Sequence, residues 1–458
     1  MADAGAPLSF KKKIARSAGL TSAEFAVKFG LRLVSTVILT RMLAPDIYGV
    51  FAVVLVYQYM LEMFSDLGLR SFVITKEGKL DDDLVQTCWT VSILRGLVIL
   101  AVSGGIALLI AWLQTRGVFA ADSAYNAEVL PYAIFALGGA SLLLSFQSIN
   151  LFVYERNMAF AHVSLSIILS SVIGLVATIG AAWLSPTVWA LVFGVAAQFG
   201  FQVIYSFLAF KGPAMRLRWH WPSARLIVDR GKWLIGHSSL TALATGADRV
   251  LLGILMDSTT FGLYFIALQI RDFCLNFLTM VHARMGLQVF THILQAPSEV
   301  FRQNYYRYRM VFDAMAGLGA GMLIMIAQPL VDLVFDGRYA GVAPILQILA
   351  LAFVLVGPGL LRSAFSAERK FRQMMYLSIV TTATLWLGLI TTIFIFDSLT
   401  GALLVIALHT LPEALILTIA GHRRDWVRLR GEIRTLLFLG LGLALGWGLN
   451  ALWARVMT

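Results

Sequence analysis

Ionisable side chains recur at helical spacing inside stretches that are otherwise apolar. Glu24, Lys28 and Arg32 follow one another every four residues, so a helix carries all three on one face, and Ser35 and Thr36 continue the polar stripe. At 1.5 Å of rise per residue, Arg32 lies about 12 Å beyond Glu24. Glu62, Asp66 and Arg70 repeat the spacing. Asp66 with Arg70 reads as an intrahelical ion pair. Glu62 and Asp66 are two carboxylates that repel in a low dielectric, a weak signal of a proton-carrying site. His409 and Glu413 flank Pro412 in another i, i+4 pair, where a proline frees a backbone carbonyl and can kink the helix; this is a second candidate for gating or ion coupling. Asp248-Arg249 and Arg271-Asp272 add charge to two further apolar segments, and Arg362 to a third. Neighbouring helical positions do not face each other, so Arg249 and Arg271 are expected to pair with other helices or to face a cavity. Each of these groups also has a structural reading, as an inter-helix salt bridge or, for Arg362, as a side chain reaching headgroups.

The elements that must position these groups are membrane helices. The chain has 458 residues, 59% of them hydrophobic and 13% charged, against roughly 25% charged in soluble domains. Thirteen segments are long and apolar enough to cross a hydrocarbon core about 30 Å thick. The basic run Lys11-Lys12-Lys13 resembles a signal-peptide start, but the apolar segment after it is too long and carries Glu24, Lys28 and Arg32, so an uncleaved first helix is expected. A charge in a span costs about 2.5–3.5 kcal/mol at its centre, which is why buried ions there face a partner or a wet cavity.

The net charge of +11 does not indicate nucleic acid. With the N-terminus inside, the inner segments hold nearly all the cations, from Lys11 to Arg434 and including Lys79, Arg309, Arg369, Lys370 and Arg430. The outer segments hold only Arg116, Arg338 and Arg455, with Arg41 at a helix end. That asymmetry is the positive-inside pattern. Cys88 and Cys274 give no disulfide frame or metal site. No G-x-x-x-x-G-K-[ST] loop occurs, Gly317, Gly319 and Gly321 read as helix packing, and no cofactor is expected.

An internal repeat organises the spans. Glu155-Arg156 recurs as Glu368-Arg369, Phe152 as Phe365, Pro131 as Pro344 and Gly49 as Gly262, all at one ungapped offset of 213 residues. The expected fold is therefore an all-α polytopic membrane protein with two parallel six-helix lobes, 1–210 and 233–422. A cytoplasmic linker, 211–232, carries Pro213, Pro222 and three aromatic residues. A basic loop and accessory helix follow in 423–458, with Gly440, Gly442, Gly446 and Gly448 offering a small-residue packing face. Parallel repeats of this kind build transporters with the substrate path between the lobes. In this register Ser35-Thr36 aligns with Asp248-Arg249, while Lys28 and Arg32 meet Thr241 and Thr245. The lobes share architecture but not charge.

The run Arg41-Met42-Leu43-Ala44-Pro45-Asp46-Ile47-Tyr48-Gly49-Val50-Phe51-Ala52 resembles the R-x-L-x-P-x-x-Y-G-x-F-A signature of Wzx-type polysaccharide flippases in the multidrug/oligosaccharidyl-lipid/polysaccharide exporter superfamily. Phe64-Ser65-Asp66-Leu67-Gly68-Leu69, Tyr154-Glu155-Arg156, Asp248-Arg249-Val250-Leu251-Leu252-Gly253 and Phe261-Gly262-Leu263-Tyr264-Phe265-Ile266-Ala267 extend the resemblance to about residue 420. It implies a bacterial inner-membrane transporter that turns a polyprenyl-diphosphate-linked oligosaccharide from the cytoplasmic to the periplasmic leaflet, for exopolysaccharide, capsule or O-antigen biosynthesis. A monomer working beside polysaccharide polymerase and export machinery is the implied setting. Arginine binds phosphate oxygens through a planar fork of donors. On that reading Arg32, Arg249 and Arg271, with Lys28, form a cationic cavity for the diphosphate; the competing reading ties them into a structural network with Glu62, Asp66, Asp248 and Asp272. Two other functions share this composition: a polytopic O-antigen polymerase or ligase, and a multidrug cation exporter of the same superfamily. An enzyme would need a sizeable outer loop or gathered catalytic groups, and the longest outer connection is only 114–127.

Overall fold

A computed structural model describes residues 10–457 except 77, 79, 295, 369, 370, 429, 430 and 433. Lys79, Arg369, Lys370 and Arg430 of the inner-cation pattern thus lie outside the described residues. Among the described residues every regular element is helical. The helices are α1 (Phe10–Met42), α2 (Pro45–Phe64), α3 (Leu69–Thr75), α4 (Asp82–Thr115), α5 (Leu130–Ser145), α6 (Asn150–Arg156), α7 (Phe160–Leu184), α8 (Val188–Ala209) and α9 (Trp221–Leu255). They continue as α10 (Ser258–Ile293), α11 (Ser298–Val334), α12 (Val342–Leu349), α13 (Val356–Gly359), α14 (Leu361–Ala367), α15 (Phe371–Phe394), α16 (Leu399–Leu408), α17 (Leu411–His422) and α18 (Arg434–Met457). Proline opens α2, α5, α9 and α17, where its missing N–H costs no helical hydrogen bond.

Ten spans among the described residues are long and apolar enough to cross a membrane, or eleven if α5 and α6, bent by 62° at their junction, count as one. The two segments that fall short of the expected thirteen are α1 and α9. Both exceed 30 residues, but they carry the intramembrane charges singled out above. Large apolar side chains such as Leu108, Trp183, Leu387 and Leu437 stand exposed along the helices, a surface that only lipid covers without penalty.

The chain forms two compact units, one up to Thr259 and one from Thr260. In the first, α1 packs on α7, α4 on α5, and α7 on α8. The seventh long helix, α9, which the repeat register aligns with α1, packs along α2 and belongs to this unit. Its core joins α3, α4 and α9 through Phe72, Val85, Cys88 and Ile227. In the second unit α11 packs on α18, and a core of Phe290, Phe301, Tyr305, Phe365 and Trp426 ties α10, α11, α14 and the segment after α17 together.

Both halves of the repeat break their fourth span. In the first the break falls between α5 and α6; in the second, at the matching register, α12 passes through a tighter helical stretch, Ala350–Leu355, into α13 and α14. Breaks at corresponding places are consistent with the repeat.

The accessory helix α18 is bound to α11 by backbone approach and by charge. A side chain at Gly442 would meet Leu318 Cα at 2.9 Å, and one at Gly446 would meet Met322 Cα at 3.0 Å. Gly440 and Gly448 face open space. So half of the expected small-residue face packs; Gly442 and Gly446 are four apart and share a side, which Gly440 and Gly448 do not. Gly317 and Gly321 supply the matching groove on α11, and Gly319 does not. Beside this contact Arg309, fully buried, donates from Nε to Asp313 Oδ2 at 3.0 Å and from Nη1 to Glu432 Oε2 at 2.5 Å. Thr435 Oγ1 donates to Asp313 Oδ1 at 2.8 Å. Arg309 is therefore no inner-loop cation, because α11 starts eleven residues earlier than the apolar pattern suggests.

Candidate functional site

The second unit contains a cavity of about 320 Å³ between α10, α13, α14, α16 and α17. Its walls are mostly aliphatic, from Leu275 and Leu278 to Val356 and Ala414, and its polar groups are Arg271, Thr279, His282, Arg362, His409, Thr410 and Glu413. Four residues singled out in the sequence, Arg271, Arg362, His409 and Glu413, thus meet on one surface.

Local structure explains how each arrives there. The tenth span breaks at Leu360, directly after the Gly357-Pro358-Gly359 of α13, and the chain resumes as α14 with Arg362 in its first turn. Pro412 opens α17, placing Glu413 in the first turn, where a helix dipole favours an anion. Arg362 Nη1 donates to Glu413 Oε1 at 2.7 Å and Nη2 donates to Ser378 Oγ at 2.7 Å. The carboxylate is buried at 8% exposure while the guanidinium is 41% exposed. Both side chains line the cavity, and the guanidinium is the more exposed of the two.

His409 stands in the gap between α16 and α17, its Nδ1 2.9 Å from the Ile406 carbonyl. The proline break was legible, but the ion pair it serves was not: Glu413 is bonded to Arg362, not set four residues along one helix from His409. His282 is fixed from both ring nitrogens, by Tyr308 Oη at 3.0 Å and Ser363 Oγ at 2.7 Å.

Arg271 folds onto its neighbour, with Nη2 at 2.6 Å and Nε at 3.0 Å from Asp272 Oδ1. Arg271 lines the cavity, one of its two expected placements, and also pairs with its neighbour along the chain, which the spacing did not suggest. Their Cβ atoms diverge, but the long arginine side chain reaches back around the helix to the short aspartate.

The other singled-out residues belong to the first unit and do not line this cavity. Glu62 accepts from Gln58 Nε2 at 3.1 Å and from Ser141 Oγ at 3.2 Å. Nearby, Arg95 donates to the Glu62 carbonyl at 2.8 Å and to Ser65 Oγ at 3.0 Å. Asp66 lies beyond the end of α2, where Oδ1 accepts the Gly68 N–H at 2.8 Å and shapes the turn, with Gly68 at φ 62°. The expected Asp66–Arg70 pair is displaced by that helix end: Arg70 opens α3 and forks onto Glu155, at 2.7 and 3.0 Å. Glu24 accepts from Ser164 on α7 at 2.7 Å. Lys28 and Arg32 are exposed on α1, while Asp248 is buried and Arg249 half-buried on α9.

Residues 38–342 match the model of a family described as polysaccharide biosynthesis protein. Among curated proteins, none matches the sequence. Among solved structures, the lipid II flippase MurJ in an inward closed conformation superposes with a TM-score of 0.64 at 13% identity, over 97% of this chain and 98% of that one. An inward-facing multidrug resistance MATE family transporter of the MOP superfamily gives 0.63 at 13% identity, over 87% and 94%. A MOP superfamily transporter from Pyrococcus furiosus gives 0.57 at 13% identity, over 89% and 95%. At such identities the likeness is one of fold. The helical architecture and the match over most of the chain together place this multi-pass membrane protein in the polysaccharide biosynthesis protein family, with the fold of MOP-superfamily transporters.

Proposed function

We propose that the protein flips a polyprenyl-diphosphate-linked oligosaccharide from the cytoplasmic to the periplasmic leaflet of a bacterial inner membrane, by alternating access, to supply surface polysaccharide synthesis. The observation that carries the reading is the cavity where Arg362, paired with Glu413, stands with Arg271, paired with Asp272, inside otherwise apolar spans. A diphosphate offers oxygens that two guanidinium forks can hold, while the lipid tail stays in the bilayer. Lys28, Arg32 and Arg249 are the further cations proposed for the diphosphate, and Glu62, Asp66, Asp248, His409 and Glu413 the groups proposed for gating or ion coupling.

The coupling is direct in this scheme. When phosphate oxygens take the Arg362 fork, Glu413 loses its partner in a low-dielectric site and is driven to accept a proton or another cation. The cation distribution along the chain supports a cytoplasmic N-terminus. Gene deletion tests the function: unpolymerised lipid-linked repeat units should accumulate on the inner leaflet. Accumulation on the outer leaflet would instead indicate a polymerase.

A further inference from the structure

The segment between α8 and α9 is not a slack connection. It runs extended from Phe210 to His220 across one end of the first unit, and side chains of two helices hold its backbone. Asn150 Nδ2 donates to the Pro213 carbonyl at 3.2 Å and Gln86 Nε2 to the Ala214 carbonyl at 3.1 Å. Thr90 Oγ1 donates to the Arg218 carbonyl and accepts from the Arg218 N–H, both at 3.0 Å, and Thr87 Oγ1 accepts the His220 N–H at 3.3 Å. Arg218 Nη1 pairs with Asp83 at 2.8 Å, and Met215 packs into the core beneath.

With its backbone satisfied inward, this strap turns large apolar groups outward. Leu217 is 71% exposed, Trp221 73% and Trp219 43%, the two indoles meeting edge to face at 5.5 Å. Lys211, Arg216 and Arg225 stand exposed beside them. Of the acidic groups of the neighbouring elements, Asp83 takes Arg218 and Asp229 on α9 lies 3.9 Å from Arg225 and 3.4 Å from Lys232, while Asp81 and Asp82 stand exposed. Asp81 and Asp82, at the start of α4, precede the Asp83, Gln86 and Thr90 face that receives the strap. Exposed tryptophan and leucine interleaved with lysine and arginine is the composition of a segment lying in a lipid headgroup layer, where indoles sit at the interface and cations meet phosphodiesters. Water offers no such cover for Leu217 and Trp221.

We infer that the strap 211–221 is a surface anchor that binds anionic phospholipid of the cytoplasmic leaflet, with Trp219, Trp221 and Leu217 seated among headgroups and Lys211 and Arg216 on their phosphates. Because the strap runs directly into α9, the anchor fixes the level at which that helix, with Asp248 and Arg249, enters the membrane.

The test uses the full chain in nanodiscs of phosphatidylcholine with increasing phosphatidylglycerol. An environment-sensitive fluorophore is placed at L217C after C88A and C274A remove the native thiols. Protection of the label from aqueous iodide should rise with the phosphatidylglycerol fraction. K211Q/R216Q should abolish that rise, since each cation near an anionic surface contributes about fivefold in binding. Both substituted side chains are exposed, so folding is preserved and the fluorophore reports the surface alone. Equal quenching in both lipids, or a phosphatidylglycerol dependence that survives K211Q/R216Q, would overturn the anchor.

Discussion

Arg362 and Glu413, 51 residues apart in sequence, close a 2.7 Å ion pair in which the carboxylate is buried and the guanidinium is open to a cavity. Two breaks create it, one at Leu360, just after Gly357-Pro358-Gly359, and one before Pro412, each placing its charged residue in the first turn of the helix that follows.

Replacing Arg362 should separate charge from fork geometry. One guanidinium serves Glu413 and Ser378 at once; a lysine keeps the charge but offers a single ammonium. R362K is expected to lower glycan export about tenfold or more with near-normal protein levels, and R362A to abolish it, measured by surface polysaccharide against immunoblot. Unchanged export by R362K would remove the fork from the account.

Arg271→Ala should abolish export in the same assay, and so should Arg32→Ala. Wild-type export by both would sink the cationic-cavity reading. E413Q keeps a hydrogen-bond acceptor for Arg362 but not the charge, so it should retain the fold while losing the dependence of transport on the coupling ion. Transport across imposed ion gradients in proteoliposomes checks this.

The joint between α11 and α18 should show in stability. Removing Glu432 leaves Arg309 buried with half its charge partners, at a cost of about 3–5 kcal/mol, so E432A should lower the thermal midpoint in detergent. G442L drives a side chain into the α11 backbone and should destabilise by about 1–3 kcal/mol or more, whereas G440L, facing open space, should be near neutral. Equal midpoints for the two glycine variants would contradict the packing.

Glu155 and Glu368 occupy the same repeat position, yet Glu155 takes Arg70 from α3 and Glu368 takes Arg424 from the segment after α17, at 2.6 Å. Charge reversal at one corner should therefore be rescued only by its own partner: R70E is repaired by E155R and not by E368R. Rescue is read from protein level and detergent stability.

The fold was legible because apolar length and charge distribution report spans directly, and the positions of Pro412 and of Gly442 and Gly446 reported a break and a contact. Pairing was not. The intrahelical readings of Asp66 with Arg70 and of His409 with Glu413 assumed continuous helices, and in both cases the helix ends just before the first partner and a new one begins before the second. Arg362, His282 and Arg95 carry no local spacing that names Glu413, Ser363 or Ser65. Such partners are set by tertiary packing of helices far apart in sequence, which a periodicity of 3.6 residues does not encode. Arg309 was misplaced for the opposite reason: a polar first half hid the helix that buries it.

The most direct test is reconstitution of the purified protein into vesicles loaded with a fluorescent polyprenyl-diphosphate-linked oligosaccharide, with a membrane-impermeant quencher reporting the leaflet. Wild-type protein should move the label across the bilayer with the glycolipid chemically intact, and R362A should leave it at the protein-free rate. Equal rates for wild-type and protein-free vesicles, or a polymerised or cleaved product, would contradict the account.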